Sequence, residues 1–80
     1  MDTYTVVKNR ILNLLGSHKM SIHKLAMESA VAPSSIKNIL YGKSQNPGIV
    51  TIKLLCDGLG ITLAEFFDTD EFRNLEQEMK

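Results

Sequence analysis

The chain has 80 residues, 44% hydrophobic and 22% charged, with nine Lys/Arg balancing nine Asp/Glu. That length suits one domain with a modest core, and the composition is that of a folded globular chain rather than a disordered one. No apolar run approaches the roughly 18 residues that span a bilayer, so no membrane partner is expected.

A lone cysteine, Cys56, excludes an internal disulfide framework. The start MDTYTVVKNR lacks a signal-peptide core, and a cytoplasmic location is expected. The zero net charge hides a division. Residues 1–67 hold seven Lys/Arg against four Asp/Glu, a net +3, whereas residues 68–80 hold two against five, a net −3. An acidic tail masks a mildly basic body, which permits phosphate binding without demanding it.

Tyr4, Val7, Ile11, Leu14 and Leu15 share one helical face over residues 4–15, with Asp2 or Thr3 as N-cap and Gly16 as the expected stop. Ser21 can cap a second helix whose inner face is Ile22, Leu25, Ala26 and Ser29. Lys24 stands where a full capping box needs Glu. Pro33 follows Val31 and Ala32. Inside a helix it would cost about 3 kcal/mol, but at the first helical position its missing N–H is no loss and its fixed φ suits the helix. A third helix therefore starts at Pro33, buries Ile36, Ile39 and Leu40, and ends at Tyr41-Gly42 with Gly42 as left-handed cap.

After the polar loop Lys43-Ser44-Gln45-Asn46, Asn46-Pro47 reads as a second cap-then-proline start. Ile49, Ile52, Leu55, Cys56 and Leu59 then give a fourth helix stopped by Gly60, with Gly58 weakening its last turn. Thr62-Leu63-Ala64-Glu65 is a complete capping box opening a short helix that ends at Phe66-Phe67. Phe72, Leu75 and Met79 form a thinner stripe behind acidic residues, read as a last short helix. No stretch alternates with period two, so the chain is expected to be all-α.

On the third helix, Ser34, Asn38 and Tyr41 lie opposite the apolar stripe, flanked by Ser35 and Lys37. Asn can bond an adenine edge in bidentate fashion and Ser can serve either base type, while Lys37 and Lys43 can hold phosphates. Pattern alone favours a solvated face about two to one, because most polar helix faces do nothing specific.

Residues from about 10 to 67 resemble the lambda-repressor-like helix-turn-helix family of the Xre type. The resemblance runs through Ser21, Leu25-Ala26, Val31, Ile36, Ile39 and Gly42. It resumes at Asn46-Pro47, Ile52, Leu59-Gly60-Ile61 and Thr62-Leu63-Ala64-Glu65-Phe66-Phe67, with no gap between residues 21 and 67. It implies a compact five-helix bundle over residues 1–67 that binds double-stranded DNA, followed by an acidic helix or tail over 68–80. It further implies a sequence-specific transcriptional regulator, a repressor acting as a homodimer.

Carried over by position, Pro33, Ser34, Lys37 and Asn38 meet base edges. Ser21, Ile22, Ser35, Tyr41, Lys43, Ser44, Gln45 and Asn46 lie along the DNA backbone. Four departures matter. Ile22 replaces a Gln that often grips phosphate, Ala30 replaces the usual turn glycine, and Pro33 removes a side chain that often reads a base. Leu15 and Leu40 stand where relatives often place a buried Arg–Glu pair. Replacing both partners by apolar residues can be neutral or better, so those two leucines are expected to touch.

Other residues carry plainer readings. His18 and His23 lack the third and fourth ligands that zinc wants, so no metal is expected, nor any other cofactor. Cys56 reads as an inert core thiol, and Asp57 and Glu65 have no convincing catalytic partner, so no enzyme is expected. The stripe Phe72, Leu75, Met79 either folds back on the bundle or forms a dimer contact. The competing function is a protein-interaction adaptor on the same fold, such as an antitoxin with a toxin partner, which the neutral net charge and acidic tail would suit.

Overall fold

Six helices follow one another in a computed structural model describing residues 1–79: α1 (Thr3–Ser17), α2 (Ile22–Ser29), α3 (Pro33–Leu40), α4 (Ile49–Leu59), α5 (Leu63–Phe67) and α6 (Asp70–Arg73). The described residues contain no strand. No helix among them is long and apolar enough to cross a membrane.

The starts follow the side-chain chemistry. Asp2 accepts from the Thr5 amide at 2.8 Å, Ser21 from the Lys24 amide at 3.0 Å, and Thr62 and Glu65 form the reciprocal capping box that opens α5. Hydrogen bonds from Thr5 hold the Asp2 carboxyl below the usual carboxylate range. Pro33 is the first residue of α3, where its missing N–H leaves no bond unmade.

Three boundaries differ from the sequence reading. Helix α1 runs through Gly16 and ends at Ser17, with His18 as its C-cap. Lys19 takes the left-handed conformation (φ 50°), its amide donates to Gly16 and the Met20 amide to Leu15, a Schellman ending on a non-glycine residue. Helix α4 starts at Ile49 with Gly48 as N-cap, leaving Pro47 in the loop. Asn46 stays with that loop, beside Asn38, instead of capping the helix. Ile49 is accordingly 57% exposed rather than part of the inner stripe.

The last helix is a single turn. Thr69 caps it, and Arg73 binds back to Asp68 (2.6 Å) and Asp70 (3.0 Å). Three apolar residues spread over eight positions are too sparse to hold a longer helix. Phe72 packs edge-on to Phe67, Leu75 is half-buried and Met79 is 85% exposed. The chain beyond folds back on the start of α1, where one Glu78 oxygen accepts from the Thr3 amide (3.0 Å) and hydroxyl (2.8 Å).

One continuous core takes Ile11, Leu14 and Leu15 from α1, Leu25 from α2, Ile36, Ile39 and Leu40 from α3, Leu55 and Cys56 from α4, and Phe66 from α5. Leu15 and Leu40 are both buried in it, and α1 packs on α3, so the position of the family's charged pair is apolar on both sides. Burial pushes the Cys56 thiol up, which keeps it protonated and unreactive. Val6, on the flank of the α1 stripe, is buried as well, on the side near Leu75.

The broadest packing is between α2 and α4. It closes on Gly58. A Cβ there would lie 2.8 Å from Ser29 Cβ and 3.0 Å from the Ser29 backbone. Ser29 is itself buried and turns its hydroxyl inward, donating to the Leu25 carbonyl at 2.6 Å. Gly58, a weak point by helix propensity, is thus the residue that lets α2 and α4 touch. Between them and α3 lies Ala30, which ends α2 in the left-handed conformation (φ 57°, ψ 28°).

Two substitutions test this geometry by chemical denaturation. Gly58→Ala gains helix propensity yet drives a methyl into backbone, and is expected to lose about 1–2 kcal/mol net. Ala30→Gly relieves the left-handed strain and is expected to gain about 0.5–1 kcal/mol, raising the melting temperature by several degrees. Equal stability of the Gly58 variant and the parent would show that the α2–α4 crossing has slack.

Candidate nucleic-acid interface

The polar face of α3 is open. Pro33, Ser34, Ser35, Lys37 and Asn38 are all exposed, and Tyr41, just past the helix, is 74% exposed. Ser35 and Asn38 meet Ser44 and Asn46 across a shallow polar depression that Gly48 and Thr51 complete at the start of α4. The structure therefore brings four of the twelve DNA-contact candidates into one patch, with Ser34, Lys37 and Tyr41 on the same helix or its cap. Lys43 is exposed on the loop, and Gln45 is tied down there, its side-chain amide donating to the Gly42 carbonyl at 3.1 Å.

Ser21 and Ile22 stand at the start of α2. The Ile22 side chain packs against the core, so what that position offers outward is backbone N–H at a helix N-terminus. Ser21 already accepts one of those amides through its cap.

The C-terminal end of α3 is fixed from three directions. The Tyr41 amide donates to Lys37 (2.8 Å), the Ser44 amide to Asn38 (2.8 Å), and the Tyr4 hydroxyl of α1 to Ile39. Three of the last four carbonyls of the helix, which an isolated helix would leave unmatched, thus have donors. Tyr4 was legible in the sequence only as part of an apolar stripe. The signal of its second role was its phenol, since a tyrosine on a buried face needs a partner for its O–H.

Arg10 is a second residue with an unforeseen part. Its guanidinium donates to the carbonyls of Phe66 (2.8 Å) and Glu65 (2.9 Å) and lies 5.9 Å from the centre of the Phe66 ring. One basic charge of the body is therefore spent on closing α5, not on the surface. Lys24 and Lys53 pair with Glu28 and Asp57 on their own helices. Among the described residues Lys37 and Lys43 have no ion pair, and the whole stretch 29–56 contains no Asp or Glu. The helix α3 and its loop thus carry two lysines and no acid of their own, even though the chain is neutral.

His18 is occupied locally, with Nδ1 2.9 Å from the Leu14 carbonyl. No group of three His, Cys, Asp or Glu side chains that could hold a metal occurs among the described residues.

Two helices joined by a left-handed turn, the second presenting an acid-free polar face, define a helix-turn-helix protein. A family model described as the Cro/C1-type HTH DNA-binding domain matches residues 10–71, and the chain belongs to that family of DNA-binding regulators. The chain is also similar to a solved protein described as prophage Lp1 protein 11. The two share 26% identity and a TM-score of 0.80, over 94% of this chain and all of that one. No curated protein matches the chain.

The anchoring of α3 gives a further expectation. Tyr4→Phe removes a donor from a part-buried carbonyl and is expected to cost about 1 kcal/mol. Hydrogen exchange of the Tyr41 and Ser44 amides should quicken more than that of the core amides. Unchanged exchange at those two positions would show that α1 does not hold the end of α3.

Proposed function

We propose that the protein is a sequence-specific transcriptional repressor that inserts α3 into the major groove of double-stranded DNA. The observation that carries this reading is the exposed trio Ser34, Lys37 and Asn38 on α3, with its end anchored to α1 and no acid on the helix or its loop. A rigidly held helix can present Asn38 to an adenine edge and Ser34 to either base type, with Pro33 stiffening the entry. Lys43, the remaining loop residues and the start of α2 follow the phosphates and set register. Repression follows from occupancy, since a bundle seated in the groove excludes other proteins from the same base pairs.

Eight residues of α3 are about 12 Å long and reach only a few base pairs. We therefore propose that two copies bind a palindromic site, with half-sites one helical turn apart. Phe72 is committed to the core, so pairing through the C-terminal stripe would engage Leu75 and Met79.

Selection from random duplex DNA is the direct test, and a two-fold motif is the expected result. On the selected site, Asn38→Ala should cost about 1–3 kcal/mol and relax preference at one base position. Lys43→Ala should instead weaken all sequences alike and reduce the salt dependence by about one counterion. Recovery of no motif would sink the specific-regulator reading.

A further inference from the structure

Helix α4 is apolar on more of its surface than the core uses. Seven of its eleven residues are Ile, Val, Leu or Cys, and four of them, Ile52, Leu55, Cys56 and Leu59, are buried. The other three face out: Ile49 is 57% exposed, Val50 69% and Leu54 37%. A surface helix ordinarily carries polar residues on that side, and a helix apolar on both sides is ordinarily covered. At about 100° per residue, Val50, Leu54 and Asp57 lie away from the buried four, with Ile49 and Lys53 along one flank. Among the described residues nothing covers this face, since the acidic tail folds onto the start of α1 instead.

We infer that the outer face of α4 is a self-association surface, on which a second copy of this chain lies antiparallel, α4 against α4. The charges favour a copy. The ions on the face, Lys53 and Asp57, already pair with each other on their own helix. The face is therefore neutral, and a copy covers it without stranding a charge or meeting a like one. Antiparallel pairing sets the two ion pairs head to tail, lysine beside aspartate, and two-fold symmetry makes each contact twice. The area sets the strength. Three part-exposed aliphatic side chains offer on the order of 200–300 Å² per copy, well short of the roughly 800 Å² per partner of a stable complex. Pairing is thus weak between free molecules and becomes populated when two copies are held close.

DNA is such a holder. Gly48 and Thr51, on either side of Ile49 and Val50 in the chain, complete the depression beside Ser35 and Asn38. A copy docked on α4 therefore adjoins the polar surface of α3 and its loop. Neighbouring half-sites give the second copy an effective concentration in the millimolar range, roughly what a contact of this size needs. Pairing and occupancy of the duplex then strengthen each other by the same factor. This consequence rests on the DNA-reading role proposed for α3. The pairing of α4 does not.

The test is a dilution series of the whole chain without DNA, read by amide shifts and translational diffusion up to about 2 mM. Saturable shifts are expected at Ile49, Val50, Lys53, Leu54 and Asp57, with a self-dissociation constant on the order of 0.5 mM. Val50→Ser alters only an exposed side chain and should weaken pairing about fivefold or more. Lys53→Glu brings four acids into the contact and should weaken it about fivefold. Lys53→Glu combined with Asp57→Lys restores a neutral face and a helical ion pair, and should return to within about twofold of the parent. Shifts absent from α4 at the highest concentration, or centred on Leu75 and Met79, overturn the surface. So does a double variant that pairs no better than Lys53→Glu.

On a palindromic duplex recovered by selection, the parent should bind cooperatively. Val50→Ser should lose about fivefold in cooperativity while keeping its affinity for a single half-site. Undiminished cooperativity in that variant overturns the link to DNA. A chain that pairs through α4 but selects no duplex keeps the surface and loses the DNA reading. The opposite result loses the surface alone.

Discussion

The contact between Ser29 and Gly58 governs how the rest of the molecule is arranged. Helices α2 and α4 can lie so close only because one contributes a hydroxymethyl and the other nothing. The serine hydroxyl would be an expensive passenger in that dry crossing, but it bonds back to Leu25 within its own helix. Ala30 begins one residue later, so the direction in which the chain leaves α2 is fixed where α2 is most tightly held. The placement of α3 inherits that rigidity. A larger residue at position 58 would move α2 away from α4, and α3 with it.

The far end of α3 is constrained by different chemistry. Its apolar side sinks Ile36, Ile39 and Leu40 into the common core, while its last carbonyls are met by the cap, the loop and the Tyr4 phenol. Packing fixes the tilt of the helix, and the hydrogen bonds fix the loop that leaves it. Lys43 through Asn46 are therefore not a slack connection. Loop and helix form one surface, and the depression from Ser35 and Asn38 to Ser44 and Asn46 is its seam.

Charge is sorted along the same lines. The body's cations divide between structural duty, local pairing and open surface. Arg10 closes α5, Lys24 and Lys53 pair within their helices, and Lys37 and Lys43 face outward. The acids gather at the start of α1 and in the tail, where Glu78 caps Thr3 and Arg73 ties Asp68 to Asp70. A protein of zero net charge thereby keeps α3 and its loop free of acids of their own. The chain belongs to the Cro/C1-type family of DNA-binding domains.

The amino-acid sequence by itself determined the local decisions. Helical periodicity set which faces of α1 to α4 are apolar, Ser21 and Thr62 set where α2 and α5 begin, and Pro33 set the start of α3. These depend on neighbours three or four residues away, which a linear pattern displays. The exposed polar face of α3 was legible for the same reason, as the complement of Ile36, Ile39 and Leu40. Only the tertiary structure decided the rest.

Whether Gly58 weakens or permits depends on a serine 29 positions earlier in the chain, and no periodicity carries that. Tyr4 and Arg10 act on carbonyls of Ile39 and Phe66, groups every residue has and no sequence marks. The stripe Phe72, Leu75, Met79 looked continuous, but burial is granted by what lies opposite, and only Phe72 found a core to enter. Pro47 mimicked Pro33 in sequence and missed its role, because the path of the loop beside Asn38 delayed the start of α4 to Ile49.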